Sequence, residues 1–236
     1  MSAIMEKSAG FNAVQRRLSE RWASRHQVDA RWLSDLSGTD HQSLTIAFDR
    51  WRNEFAQIGM LEPIIGDPAH IPGAKALYRT LRRTQPASTL VLTVTGSFAP
   101  AVTAAALIDC GGNRSVVCAL VRRSAGALEF PATFNFEPML EPLDAVTLKN
   151  VDDISPFMNL GRRIDCVVLT DGVERVNESL RLELLWSLLS PGGSIVNCAI
   201  SKDWIRFGRQ KGASKRARMH DAGVSTLRKP ALVVSD

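Results

Sequence analysis

Residues 164–199, IDCVVLTDGVERVNESLRLELLWSLLSPGGSIVNCA, contain the pattern that decides the fold. Residues 164–170 are almost continuously apolar and rich in valine, which is typical of a strand buried on both faces of a parallel sheet. A helical pattern follows over 175–189, and the Pro-Gly-Gly of residues 191–193 predicts a turn into a second apolar strand, 193–199. A strand, a helix and a strand in this order predict a βαβ unit.

The same alternation extends outward from this block. Three more strands are predicted at 89–95, 115–121 and 144–148, and a helix over 99–110 joins the first two. Three prolines between 124 and 143 favour an irregular crossover there, and the final residues, 223–236, can add one or two edge strands. The fold class is therefore predicted as α/β, a doubly wound, mainly parallel sheet, with residues 87–236 forming this domain.

Residues 1–86 show no strand alternation and are predicted to form an N-terminal helical extension. Apolar residues recur at helical spacing over 11–26, 44–58 and 73–84. In the last of these helices Arg79, Arg82 and Arg83 are expected to face solvent. The aromatic side chains of Trp32, Trp51 and Tyr78 are interpreted either as ordinary core or as the wall of a ligand pocket or a homodimer contact.

Composition excludes several classes of protein. The chain has 236 residues, of which 45% are hydrophobic and 22% charged, with a net charge of +5, as in ordinary globular proteins. It contains no apolar run of about 18 residues and no secretory leader pattern, so a cytoplasmic location is the default expectation. The four cysteines, at 110, 118, 166 and 198, lack metal-ligand spacing and are interpreted as buried apolar residues, so no zinc site is expected.

Ligands of open α/β sheets bind beyond the carboxyl ends of the strands. The first loop there contains Gly96, Ser97, Phe98 and Ala99 and leads into a helix of small residues. The amides at such a helix start attract carboxylates or phosphates. The alternative interpretation is an ordinary tight turn from strand to helix.

Two acidic pairs follow later strands. Asp152 and Asp153 can accept hydrogen bonds from a ligand, or they can cap the next turn. Asp171, directly after the most apolar strand, and Glu174 can act as a catalytic base and its orienting partner. The alternative for this second pair is a solvated turn with an acid at the start of the next helix.

These segments resemble the class I S-adenosylmethionine-dependent methyltransferases, particularly those that methylate hydroxyl groups of small molecules. The match lies in IDCVVLTDG, residues 164–172, and in LLSPGGSIV, residues 188–196. They are similar to the family's fourth strand, which ends in an acid, and to the Pro-Gly-Gly turn that opens the fifth. The stretch from Leu77 to Gly112 is similar in layout to the family's lead-in helix, first strand, glycine-containing loop and first sheet helix, and the resemblance covers residues 87–200.

The resemblance implies S-adenosylmethionine as cofactor. Gly96, with Ser97 to Ala99, would lie under its methionine portion, Asp152 would meet the adenine, and Asp171 would face the reaction centre. Arg122 and Arg123 stand where the family usually has an acid for the ribose hydroxyls, and arginines suit a phosphate-bearing ligand better. Asn197 stands where metal-dependent members carry a second ligand, and no catalytic metal is expected.

A basic stretch follows the last strand. Between residues 201 and 218 there are seven basic residues and one acid, with Trp204 and Phe207 among them. Such a stretch can bind nucleic acid through phosphates and aromatic stacking, or it can be a hydrated loop. The basic residues are Lys202, Arg206, Arg209, Lys211, Lys215, Arg216 and Arg218.

Three functions remain open from the sequence. The first is methyl transfer to a small-molecule hydroxyl. The second is a methyltransferase-like domain without catalysis that serves as a binding or scaffold module. The third is an RNA-binding or RNA-modifying protein that uses the basic stretch.

Overall fold

The computed structural model describes the residues 40–57, 71–93, 97–121, 143–151, 164–170, 178–198, 202–211, 219–221 and 224–231. The helices are α1 (His41–Gln57), α2 (Ile71–Thr84), α3 (Ala99–Cys110), α4 (Glu178–Leu188) and α5 (Lys202–Gln210). The strands are β1 (Ser88–Thr93), β2 (Ser115–Val121), β3 (Asp144–Val151), β4 (Ile164–Leu169), β5 (Leu189–Asn197), β6 (Met219–Asp221) and β7 (Val224–Arg228). The predicted helix over 11–26 and Trp32 lie outside the described residues.

The strands form one seven-stranded sheet in the order β3-β2-β1-β4-β5-β7-β6. The first five are parallel, and β7 pairs antiparallel with both β5 and β6. This confirms the predicted doubly wound, mainly parallel sheet. The prediction of one or two edge strands over 223–236 was partly wrong: a strand forms there, but this strand, β7, lies inside the sheet, and the edge beside it is β6, which precedes that stretch.

Helices cover both faces of the sheet, as the double winding requires. On one face Val91, Cys118, Cys166 and Val168 form one buried cluster with α2 and α3, and α1 joins this cluster by packing on α2. On the other face the packing is against α4 and α5, and it includes Leu90, Leu92, Val167, Ile195, Trp204 and Phe207. The side chains of neighbouring strand residues alternate between the two faces. Helices α1 and α2 thus share one core with the sheet, and the proposed domain boundary at residue 86 stays a prediction.

Helix α1 begins three residues earlier than its apolar pattern predicted. The carboxylate of Asp40 accepts hydrogen bonds from the amides of Gln42 and Ser43, both at 3.0 Å. The Ser43 hydroxyl also donates to it, and these bonds lower the pKa of Asp40. This is N-terminal capping, which satisfies amides that have no partner within the helix.

The prediction that Arg79 and Arg82 face solvent was wrong. Their exposed fractions are 6% and 7%, whereas Arg83 is exposed as expected. Helix α1 packs on α2, and Arg79 contacts Nε2 of His41 from α1. Helical spacing predicted a solvent-facing side for both arginines, but α1 contacts Arg79, and Arg82 lies beside Cys110 at the end of α3.

The Pro-Gly-Gly segment is an irregularity inside β5 instead of a turn before it. Ile164 of β4 pairs with Leu189 of β5, and Cys166 pairs with Ser194. Between these two pairs β5 therefore contains three more residues than β4. Gly192 has a φ of +79°, which favours glycine. A Cβ on Gly193 would lie 2.9 Å from the carbonyl oxygens of Asp165 and Ser190, which leaves no space for a side chain.

The buried cysteines are expected to be inert in the folded protein. Burial raises the pKa of both Cys118 and Cys166 to about 12, so both remain thiols at neutral pH, whereas the thiolate is the reactive form. At pH 8 a disulfide reagent should leave Cys118 and Cys166 unmodified, and it should modify the half-buried Cys110 more slowly than Cys198, because burial also raises the pKa of Cys110. All four should react after denaturation. Native reaction of Cys118 or Cys166 at the denatured rate would contradict this packing.

The same shifts predict how stability changes with pH. A thiol pKa that is higher in the folded than in the unfolded chain stabilises the fold fully below the unfolded value of 9.0. This contribution is lost as the pH rises from 9 towards 12, at up to about 1.4 kcal/mol per pH unit for each thiol. Urea unfolding at pH 8 and pH 10 should show the loss. A variant with Cys118→Ala and Cys166→Ala, the matched control, should lose less stability over that interval.

Candidate functional site

The topological switch point of the sheet lies between β1 and β4. The chain runs outward from β1 to β2 and β3, then returns to β4 on the other side of β1. At such a point the connections leave the carboxyl ends of adjacent strands in opposite directions, which opens a crevice where ligands bind in this class of fold. The candidate site is therefore at the ends of β1 and β4.

Two threonines lie at this position. The hydroxyls of Thr93 and Thr170 are hydrogen-bonded at 3.2 Å, and the side chains are 0% and 7% exposed. The pairing of Val91 with Val168 and of Leu92 with Leu169 places the tripeptide Val-Leu-Thr in register on both strands. The bottom of the crevice is therefore neutral and polar.

This threonine pair was not predicted from the sequence. The signal was present, since residues 91–93 and 168–170 are the same three letters at the end of two apolar strands. A threonine after such a run has many structural explanations. Only the adjacency of β1 and β4 in the sheet makes the two hydroxyls partners.

The start of α3 lies next to this pair in the chain. Ser97 is half-buried, and its Oγ accepts a hydrogen bond from the amide of Ala99 at 3.2 Å. The amide of Val102 donates to the Phe98 carbonyl at 3.0 Å. Phe98 is itself half-buried and packs against the core on the α3 face of the sheet. The positive end of the α3 dipole thus lies beyond the carboxyl end of β1.

Helix α3 has small residues for most of its length. All residues from Ala99 to Asp109 are buried, between the sheet on one side and α2 on the other. Alanines allow close packing on both sides. This fixes the position of the helix start relative to the ends of β1 and β4.

The remaining predicted site residues are Gly96, Asp152, Asp153, Asp171 and Glu174, and they lie outside the described residues. Their neighbours are described. Gly96 precedes Ser97, Asp171 directly follows Thr170, and Asp152 directly follows the last residue of β3. The described chain ends directly before Asp152 and Asp171 at the carboxyl ends of β3 and β4, and the roles of all five residues stay predictions.

The opposite edge of the sheet is occupied by structural contacts. The carboxylate of Asp165 accepts hydrogen bonds from the amides of Ala87 and Ser88, both at 3.1 Å. Arg114 donates to the carbonyls of Gln85, Pro86 and Gly111. These side chains provide hydrogen-bond partners for backbone amides and carbonyls near the starts of β1, β2 and β4. The polar residues at this edge are thus explained by folding alone.

The described part of the chain shows neither a metal-binding cluster nor a membrane-spanning helix. It holds no group of three or more histidine, cysteine or acidic side chains arranged to bind a metal ion. No described helix combines the length and the apolar character needed to cross a membrane.

The structure is similar to solved structures of methyltransferases. An O-methyltransferase of tomaymycin synthesis from Streptomyces achromogenes, solved with SAM, is 14% identical, with 89% of this chain and 98% of that chain covered and a TM-score of 0.48. An O-methyltransferase from Bacillus cereus in complex with SAH is 15% identical, with coverages of 89% and 100% and a TM-score of 0.48. A methyltransferase from Geobacter sulfurreducens is 16% identical, with coverages of 77% and 87% and a TM-score of 0.44.

Sequence comparison adds no closer relative. No protein-family model matches the chain, and no curated protein matches it.

Proposed function

We propose that this chain is an S-adenosylmethionine-dependent methyltransferase that acts on a hydroxyl group of a small molecule. The observation that carries the proposal is the switch point between β1 and β4, where the Thr93–Thr170 pair lies at the ends of the two strands and α3 begins a few residues after β1. The resemblance of residues 164–199 to the family supports the same conclusion, because the most characteristic segment forms β4, α4 and β5.

The residues around the crevice fit the charges of this cofactor. Its methionine carboxylate is anionic, and the start of α3 at Ser97 to Ala99 is the positive end of a helix dipole. The ends of β1 and β4 supply neutral hydroxyls and no described carboxylate that would repel it. β3 ends at Val151, two strands from β1, a distance of about 10 Å. Asp152 and Asp153 are thus proposed for the adenine end of an extended ligand.

When bound, S-adenosylmethionine supplies a methyl group on a positively charged sulfur. The chain has to hold an acceptor hydroxyl in line with that methyl group and to exclude water, and such alignment supplies much of the rate acceleration. Asp171 or Glu174 positions the hydroxyl and accepts its proton. Ser97 and the α3 start hold the cofactor in place.

Isothermal titration with S-adenosylmethionine and S-adenosylhomocysteine is the direct test. We expect saturable heat with both compounds, since they share the adenosyl and amino-acid groups. Absence of heat at millimolar concentration would refute the proposal. Binding without methyl transfer to a panel of phenols and alcohols would favour the alternative, a binding domain without catalysis.

Ser97→Asp is expected to weaken cofactor binding about tenfold, which corresponds to about 1.4 kcal/mol. An aspartate can still accept the Ala99 amide, but its charge would lie beside the cofactor carboxylate, where like charges about 4 Å apart cost about 1–4 kcal/mol. Ser97→Asn is the matched control, because it keeps an acceptor oxygen without the charge. Equal affinities of the two variants, with unchanged melting temperatures, would contradict this placement.

A further inference from the structure

Helix α5 separates its side chains into a buried and an exposed face. Trp204 and Phe207 are 1% and 3% exposed and pack against the sheet and α4. The indole nitrogen of Trp204 donates a hydrogen bond to Oγ of Ser225 at 2.9 Å. The interpretation that these aromatic residues stack on nucleic-acid bases was therefore wrong, as was the alternative of a hydrated loop for residues 202–210.

The exposed side chains of α5 include three cations and one acid, Asp203. Lys202, Arg206 and Arg209 follow one another at spacings of four and three, so they lie along one stripe of the helix. With the partly exposed Ile205 and with Gln210 they line a shallow groove of about 420 Å³. Across the described part of the chain, no carboxylate forms a salt bridge with any of the three.

Lys211, at the end of the same helix, has a different environment. Its ammonium forms a salt bridge with Glu183 of α4 and lies 5.5 Å from the centre of the Phe207 ring. Its charge is therefore balanced within the protein. Of the four described basic residues between 201 and 218, Lys211 is paired with a carboxylate, and the other three are available to bind a partner.

We propose that the Lys202–Arg206–Arg209 face binds the phosphodiester backbone of a nucleic acid, independently of the cofactor site. Arg209 follows Lys202 by seven positions, which corresponds to about 10.5 Å along the helix axis. Phosphates follow one another at about 3.4 Å along the axis of each duplex strand, so this length spans about three of them. Arginine also matches phosphate oxygens with two parallel hydrogen bonds.

The burial of Trp204 and Phe207 indicates which kind of nucleic-acid contact the α5 surface can make. Without an exposed aromatic side chain on α5, the contact depends on charge and does not read bases, so it should be independent of sequence and sensitive to salt. An anionic membrane surface fits less well. Interfacial helices insert an apolar face, and the apolar face of α5 is already buried in the protein.

The test is fluorescence anisotropy with a labelled single-stranded RNA and a labelled duplex DNA, each in two unrelated sequences. We expect equal affinities for the two sequences and a linear fall of log K with log salt concentration. Arg206→Gln and Arg209→Gln should each reduce the magnitude of that slope, by about 0.9 for duplex and about 0.7 for single strands. The relative affinities for RNA and DNA identify the nucleic acid preferred.

Lys211→Gln is the matched control, since it removes the same charge from the same helix. It should leave the salt slope unchanged. The melting temperatures of Arg206→Gln and Arg209→Gln should match that of the parent because both side chains are exposed, whereas Lys211→Gln should melt slightly lower because it loses the ion pair with Glu183. Absence of binding at low salt would overturn the proposal. So would an equal effect of Lys211→Gln, or binding to phosphatidylserine vesicles without binding to either nucleic acid. Cofactor titration is a separate measurement, so failure of one proposal does not imply failure of the other.

Discussion

Trp204→Ala is expected to lower the free energy of unfolding by about 3–5 kcal/mol, the range for removing a large buried aromatic side chain. The indole is 1% exposed and contacts the face of the sheet that contains Leu90 and Leu92. Its removal leaves a cavity between α5 and the sheet. The hydroxyl of Ser225, itself 0% exposed, would also lose its 2.9 Å donor, which adds to the cost.

Urea unfolding of Trp204→Ala and Ile205→Ala gives the comparison. Ile205 is the next residue of the same helix but is 37% exposed, so its truncation should cost about 0.5 kcal/mol or less, as for surface positions. Similar losses for the two variants would mean that α5 does not pack on the sheet as described. A Trp204→Phe and Ser225→Ala double-mutant cycle should give a coupling of about 1 kcal/mol for the hydrogen bond.

Asp109→Ala is expected to destabilise the protein by about 3 kcal/mol, because it leaves the buried hydroxyl of Tyr78 without its charged acceptor. Asp109 lies near the end of α3 at 3% exposure and accepts a hydrogen bond from the hydroxyl of Tyr78, which is 0% exposed. Arg82 is 7% exposed and lies, like Asp109, close enough to Cys110 to affect the pKa of its thiol. Burial remains the largest cause of the raised pKa there.

Asp109→Asn separates the hydrogen bond from the charge. An asparagine keeps an acceptor for Tyr78 but cannot balance the nearby guanidinium, so the loss should be intermediate. Tyr78→Phe removes only the donor and should cost about 1.5–3 kcal/mol, the range for a hydrogen bond to a charged group. If Asp109→Ala and Tyr78→Phe lower the stability measured by thermal unfolding by the same amount, the only stabilising role of the Asp109 carboxylate is its hydrogen bond with Tyr78.

The buried polar residues of α2 and α3 show why the burial of side chains was harder to predict than secondary structure. The periodicity of α2 correctly indicated a helix with Leu77 and Leu81 inside. It could not show that α1 packs on the other side of α2 and contacts Arg79, or that Arg82 is buried beside Cys110 at the end of α3. A helical pattern reports which face is most apolar, whereas burial depends on how many layers surround the helix.

The basic stretch shows the same limit. Seven basic residues within 18 positions indicated a hydrated or phosphate-binding segment, and the spacing of Trp204, Phe207 and Lys211 at three and four was the signal for the helix. Only its packing against α4 and the sheet showed that the aromatics are core and that Lys211 is paired. The choice of three cations for the proposed surface therefore comes from tertiary structure.

The sequence by itself determined the element types and the doubly wound sheet. The runs at 115–121 and 164–169 and the helix at 99–110 are local patterns of side-chain type, and local patterns suffice to specify strands and helices. The tertiary structure alone decided which strand ends are neighbours. It joined Thr93 to Thr170 across 77 positions of chain and placed β7 between β5 and β6. Such contacts depend on the pairing of distant segments, which the side-chain pattern of each segment does not record.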